Sequence, residues 1–333
     1  MPALNLVSFV SSLYQNIGSL AVIFLSIALS AADGLIAQEN AANSDPVLVR
    51  QHWNAARVLA GEEWIEAFEF FCGPPPQDLD GSITEVLEPT RLFDNLFILG
   101  RSRTVVYALT TSEGIILIDA GYPQQEESVL IPGLKTVGLN PEDIKMVMVA
   151  HGHRDHYGGA KFLQEKYGAR IAMSQQDWEM VDQTMGPIKD LVVEEGMAIR
   201  LGDTEITPLL IPGHTSGSIG LFFDVYDQGT SHRAGLFGGT ILAESRIPNA
   251  GLQQYIDSIA HFSEKATVLG ADVELQNHPY FNNLETRLDQ LSDRQTGQVH
   301  PFVVGNESYL RFLSLMSECT KTELAQRGGK VNP

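Results

Sequence analysis

Cysteine is scarce in this 333-residue chain: Cys72 and Cys319 are the only two, and they lie far apart. Neither has a histidine-rich neighbourhood, so neither reads as a metal ligand. That leaves one disulfide, as an exported protein would carry, or two buried thiols. Basic side chains are scarce too. The 22 Lys and Arg against 41 Asp and Glu leave a formal charge of −19. No positive excess is available to displace counterions, which excludes nucleic acid as a partner and argues against an anionic membrane surface. No Gly-x-Ser-x-Gly occurs, so there is no sign of a serine nucleophile presented on a strand-to-helix elbow. Internal repeats and low-complexity tracts are missing as well.

Charge is absent altogether from residues 1–32. Within them Leu20–Leu29 has the length of a signal-peptide apolar core, and Ser30-Ala31-Ala32 supplies small residues for cleavage. The expectation is export, to the periplasm or beyond, with a mature chain starting near Asp33. The basic leader start is missing, since the first Lys or Arg is Arg50. An uncleaved N-terminal anchor over Leu13–Ala32 is therefore the competing reading, and the only membrane connection the sequence offers. A core helix is a third.

With 44% hydrophobic residues the rest can bury a large core. Gln38–Asp45 reads as a linker and Val47–Phe71 as an amphipathic helix pair ended by Gly73-Pro74-Pro75-Pro76. From Leu92 the pattern turns to short strands, at Leu96–Gly100, Thr104–Thr110 and Gly114–Asp119. Helices are expected over Pro123–Val137, Gly158–Tyr167, Asp177–Met185, Gln253–Leu269 and Ser308–Arg327. Further strands are expected at Ile144–Ala150, Arg170–Ser174, Ala198–Leu201, Glu205–Ile211, Ile219–Asp224, Ala234–Gly238 and Ala271–Gln276. Two strand-rich halves with interspersed helices predict two sheets packed face to face, helices outside.

The densest chemistry is His151-Gly152-His153-Arg154-Asp155-His156, placed where an apolar strand ends. Strand and helix periods would scatter these side chains. On a tight loop they can converge, and neutral imidazole and carboxylate are ligands that zinc accepts. His151 and His153 alternate while Asp155 and His156 adjoin, which points to two neighbouring metals. A histidine-rich surface loop is the bland alternative. His214, in Gly-His-Thr-Ser-Gly-Ser, and His278, in Asn277-His278-Pro279, each sit at another strand end. His52 reads as structural, His232 has no comparable context, and His261 falls on a helix. His300, before Pro301, is the one remaining histidine that could line a cleft.

His-x-His-x-Asp-His after an apolar strand resembles the signature of the metallo-β-lactamase superfamily. The likeness runs from about Leu96 to about Asn283 and takes in Gly114–Gly121 and Pro212–Ser218. It implies an α/β fold, the four-layer αβ/βα sandwich, over residues 91–333, with 33–90 as a helical extension and linker. It implies a first zinc on His151, His153 and His214, and a second on Asp155, His156 and His278. Asp155 is then catalytic as well as a ligand. Many lactonases and glyoxalase-type thioesterases of the superfamily carry an aspartate bridging the two metals. Leu236-Phe237-Gly238-Gly239-Thr240 has none. Together with the lack of a cysteine ligand, this is most similar to the third subclass of metallo-β-lactamases, whose ligands are histidine and aspartate only. In that subclass serines hold the drug's carboxylate. Thr240 and Leu242 stand in their place, with Arg154 or Tyr157 as possible substitutes. The implied function is hydrolysis of a small molecule's amide or ester bond by a two-zinc centre, foremost a β-lactam. A lactone or thioester is the alternative, and an inactive metal-binding protein the last.

Overall fold

The computed structural model describes residues 44–74, 83–182, 184–242 and 247–331. The leader, the linker before Ser44 and most of the proline run lie outside the described residues. No helix among the described residues is long and apolar enough to cross a membrane.

Two helices come first, α1 (Pro46–Ala60) and α2 (Ile65–Cys72). Asp45 caps α1, its side chain accepting from the Val47 and Leu48 amides, and Pro46 opens it without a donor to lose. The first sheet runs β1 (Thr90–Phe93), β2 (Leu96–Arg101), β3 (Thr104–Thr111), β4 (Gly114–Ile118), β5 (Ile144–Met148), β6 (Arg170–Ser174) and β7 (Leu191–Val193), in that order. Its first pairings are antiparallel hairpins. From β4 onward the strands are parallel, which demands crossovers. These carry α3 (Ile131–Thr136), α4 (Arg154–Tyr157), α5 (Ala160–Tyr167) and α6 (Gln175–Met180).

The second sheet holds β8 (Ile199–Leu201), β9 (Thr204–Leu210), β10 (Ile219–Asp227), β11 (Thr230–Phe237) and β12 (Val273–Leu275), ordered β12-β11-β10-β9-β8. Helix α7 (Asn249–Leu269) joins β11 to its parallel neighbour β12. The described chain ends with α8 (Leu284–Ser292) and α9 (Asn306–Gln326).

Strand periodicity assigns the layers. In β4, Ile116 and Ile118 face the space between the sheets, while Ile115 and Leu117 face the crossover helices. In β10, Ile219, Leu221, Phe223 and Val225 join the same inter-sheet core, and Phe222 points out toward α7 and α9. A strand apolar on both faces is one covered on both sides. The result is helix, sheet, sheet, helix, as the sequence led us to expect.

The outer layer of the second half contains α1, α2, α7 and α9 around Trp64, Tyr255, Phe262, Tyr309 and Phe312. Cys72 and Cys319 are disulfide-bonded there, tying α2 to α9. Of the two readings the cysteines left open, the structure takes the disulfide.

Several expectations need correction. Helix α6 stops at Met180, five residues short of the expected Met185, because Val181 is already extended. Strands β1 and β7 and helix α8 were not foreseen from sequence. The two strands are only four and three residues long, too brief for a periodic signal. Helix α8 is nine residues long and turns Leu284, Leu288 and Leu291 toward the inter-sheet core, a stripe too short to stand out in a polar stretch. Asp155 and His156, read as loop, lie on the single helical turn α4.

Removing the Cys72–Cys319 bridge by Cys319→Ser, or by reduction, is expected to lower stability by about 2–5 kcal/mol, because it closes a very long loop of the unfolded chain. Urea denaturation with and without reductant checks this. Titration of the denatured, unreduced protein should find no free thiol.

Candidate metal centre

The carboxyl ends of β4, β5, β6, β9, β11 and β12 all open at one edge of the paired sheets, where ligands to such folds gather. His151, His153, Asp155 and His156 follow β5. His214 follows β9 and His278 follows β12. Three strand ends thus deliver six side chains to one place.

Two convergent groups form there. His214 Nε2 lies 3.1 Å from His151 Nε2 and 3.0 Å from His153 Nδ1. His156 Nε2 lies 3.0 Å from His278 Nε2, and Asp155 Oδ2 stands 3.4 and 3.6 Å from those two nitrogens. His151 sits between the groups, close enough to complete either. Its Nε2 faces His214, and that approach places it with the first.

Most of these rings have their other nitrogen committed. His156 Nδ1 donates to Asp119 Oδ2 at 2.7 Å, His214 Nδ1 to the Ile241 carbonyl at 2.5 Å, and His278 Nδ1 to the Arg103 carbonyl at 2.8 Å. Each outward N–H meets an oxygen, so each Nε2 turns a lone pair inward, as metal-ligating histidines do. His151 is fully buried and its Nδ1 has no protein partner. Bare nitrogens crowded at about 3 Å repel unless a proton or a cation lies among them. The residues present therefore fit a metal ion in each group.

The electrostatics agree. Burial, reinforced by the neighbouring imidazoles, holds His151 and His214 well below the usual histidine range and lowers His278 to about 4. Neutral imidazole is the form that ligates. Burial also acts to depress His156, but the carboxylates of Asp155 and Asp119 outweigh it and raise this ring to about 10. Here a cation competes with a proton. Asp155 is held well below the carboxylate range: burial opposes its charge, and His156 and His278 more than offset that.

Two buried carboxylates that the sequence did not single out hold the loops in place. Asp119 ends β4 with a left-handed backbone, φ 65°, which a short polar side chain tolerates. Its Oδ1 accepts from the Ala150 amide at 2.8 Å, and its Oδ2 accepts from His156 and, at 3.4 Å, from Asn277 Nδ2. Its place inside Gly114–Gly121 was the signal that could have marked it. Asp177 Oδ2 accepts from the Gly152 amide at 2.7 Å and from Thr215 Oγ1 at 2.9 Å, joining the β5 loop to the β9 loop. Gly217 is required beside it, since a Cβ there would come within 2.6 Å of Asp177 Oδ1. Nothing in the sequence distinguishes Asp177 from an ordinary first-turn helix acid.

The model of the Metallo-beta-lactamase superfamily matches residues 99–227. That stretch begins in β2, ends in β10 and carries His151, His153, Asp155, His156 and His214. Over residues 99–227 the chain carries that superfamily's sequence pattern. The rest of the sandwich agrees with it. The subclass B3 metallo-β-lactamase BJP-1 of Bradyrhizobium japonicum aligns with 73% of this chain and 96% of its own at a TM-score of 0.64 and 25% identity. The FEZ-1 metallo-β-lactamase of Legionella gormanii shares the fold, with a TM-score of 0.62, 21% identity, and 74% and 98% of the two chains covered. Among curated sequences the chain resembles an N-acyl homoserine lactonase of a Bacillus species, 28% identical over 37% of this chain and 59% of that one. It also resembles a hydroxyacylglutathione hydrolase of Rhodopseudomonas palustris, 32% identical over 36% and 46%. These matches span less than two thirds of the curated relatives.

The residues expected at the substrate fare differently. Thr240 is fully buried and its hydroxyl has no protein partner, so it does not face solvent beside the centre. Leu242 is half-buried against the apolar cluster of α7. Tyr157 does not face solvent either; it packs among the crossover helices, while Arg154 is exposed and reaches Met185 Sδ. His300 is buried, stacked on Phe93 with Nε2 donating to the Leu92 carbonyl. His52 pairs with Glu318, His232 with Asp272, and the exposed His261 with Glu195.

Asp119→Ala is expected to weaken metal binding by about 10–100-fold, because the Ala150 amide and His156 Nδ1–H lose their acceptor. Competition with a chromophoric chelator measures this. Unchanged affinity would show that Asp119 does not set the centre.

Proposed function

We propose that this protein is a hydrolase that holds two zinc ions and opens the amide or ester bond of a small molecule, foremost that of a β-lactam. The observation that carries the reading is the ligand set: two three-residue groups of histidine and aspartate only, on facing strand ends. His151, His153 and His214 would hold one ion, and Asp155, His156 and His278 the other. Both cysteines are engaged in a disulfide in the outer helical layer, so neither can take part.

The lactone- and thioester-cleaving members of the superfamily place an aspartate between their metals near the end of the strand that is β11 here. Leu236–Thr240 holds no aspartate here; glycine and threonine stand in that place. This favours the β-lactamase-like reading over the lactonase and thioesterase to which parts of the sequence are also similar. The likeness to BJP-1 over nearly that whole chain supports it too.

When bound, such ions supply Lewis-acid polarisation of a carbonyl and acidify water to hydroxide near neutral pH. The protein's own groups do the rest. Asp155, an anion with an oxygen at the partly exposed rim of the second group, can accept a hydrogen bond from an attacking water and orient it. The oxygens of Asp119, Ile241 and Arg103 keep three rings from rotating as charge develops. No side-chain nucleophile is needed, so no covalent intermediate forms on the chain. An acidic surface suits a small-molecule substrate, not a nucleic acid.

Zinc-loaded protein should carry about two ions per chain, three protein ligands to each, and hydrolyse at least one member of a panel of penicillins, cephalosporins, lactones and thioesters. His153→Ala is expected to abolish that activity with an unchanged circular dichroism spectrum, while His261→Ala leaves it intact. Stoichiometric iron, or inactivity toward every β-lactam alongside turnover of a lactone or thioester, would overturn the reading.

With Thr240 withdrawn into the interior and Leu242 apolar, this edge offers a substrate carboxylate no hydroxyl from either residue. One hydrogen bond to a charged group is worth about 1.5–3 kcal/mol, or roughly tenfold to a hundredfold in kcat/KM. Leu242→Ser is expected to recover part of that on a cephalosporin, mainly through KM. Steady-state kinetics of both forms decide it.

A further inference from the structure

His278 is carried on the turn between β12 and α8, and that turn is closed from beneath by a charge the ligand set does not use. Glu274, on β12, is fully buried. Its Oε1 accepts from Gln276 Nε2 at 2.5 Å, and its Oε2 accepts from Asn282 Nδ2 and Arg287 Nη1, each at 3.3 Å. One carboxylate therefore grips the residue two before His278, the residue four after it, and the first turns of α8.

Arg287 is itself buried. Its guanidinium lies over the Trp64 ring at 5.2 Å and the Phe302 ring at 5.8 Å, shielded from water on its faces. Above this clamp the turn is held by contacts to the first sheet. Tyr107 donates its hydroxyl to the Gln276 carbonyl at 2.8 Å, and the Val105 amide donates to the Asn277 carbonyl at 3.0 Å. The clamp and these contacts are two halves of one mount, and His278 is what they mount.

A buried ion pair is a poor source of net stability, because desolvating both charges cancels most of their attraction. Its use is better sought in geometry. Without Glu274, the turn from Gln276 to Asn282 would lose the group that joins its two ends. We propose that Glu274, locked by Arg287 and Asn282, is a positioning residue that presets His278 and thereby sets the affinity of the second metal group, leaving the first unaffected. The first group, on the β5 and β9 loops, shares no residue with the clamp. This rests on the two-ion reading given above.

The test is a zinc titration against a chromophoric chelator, paralleled by cobalt(II) absorption, on the full chain. Glu274→Gln combined with Arg287→Met removes both charges, so neither is left buried alone. First-ion affinity is expected to stay within about twofold, and second-ion affinity to fall at least about tenfold, the size usual for groups that orient ligands. The second step of the cobalt spectrum should shift or vanish. Arg287→Lys, which keeps the charge, should restore part of the loss. Leu134→Ala, a cavity in the opposite helical layer, is the control for instability: it should lower Tm without changing the ratio of the two affinities. If the double variant does not fold, Asn282→Leu keeps the ion pair and should still weaken the second ion by about threefold, less than the full effect of losing a ligand-orienting group.

A double variant with wild-type second-ion affinity, equal weakening of both ions, or the same ratio change in Leu134→Ala would each overturn the proposal. A wild type that takes up only one ion would instead overturn the two-ion reading, and the titration of the wild type alone separates the two failures.

Discussion

One carboxylate joins three of the strands that build the metal edge. Asp119 stands at the end of β4, receives the Ala150 amide from the end of β5 and the His156 ring from the loop beyond, and touches Asn277 at the end of β12. Because it is fully buried, each of these bonds acts at low dielectric, where leaving a donor unmatched is expensive. The left-handed backbone at Asp119 turns the chain where β4 ends. Without that turn the β5 loop would have no fixed origin. Asp177 then carries the same order across to the β9 loop. The loops after β5 and β9 are thus tied down by two acids outside the candidate ligand set.

Much of the plan was legible because it is written in periodicity and local density. Two strand-rich halves with interspersed helices gave two covered sheets, and three histidines and an acid within six residues gave the centre. The Gly-His-Thr-Ser-Gly-Ser and Asn-His-Pro turns could be read as strand ends for the same reason. The cysteines were legible only as a choice, since sequence separation does not reveal whether two thiols meet. What stayed hidden depends on contacts between distant segments. Asp177 looks like any acid in the first turn of a helix until Gly152 and Thr215 are brought to it. Glu274 and Arg287 are 13 residues apart, and nothing between them signals that the two charges meet. The likeness that placed Thr240 at the substrate could not foresee that its side chain turns inward.

The same contrast separates chemistry from substrate. In the two histidine groups most rings have their outer nitrogen held by a protein oxygen. Of the residues expected at the substrate, Leu242 is half-buried against an apolar cluster and Arg154 is exposed.

The disulfide between Cys72 and Cys319 has a mechanical consequence. Its two ends are 247 residues apart, and every strand and every candidate ligand lies between them. Pulled by its ends, the oxidised chain would transmit force through α1, α2, the sulfur bridge and the last turns of α9. The sheets and the metal edge, enclosed in the covalent ring, would bear none of it. Extension would stop after the segments outside the ring had been drawn out, at about 3.5 Å per residue. To any machine that works by threading a polypeptide from one end, this molecule is a knot-sized loop until the bridge is cut.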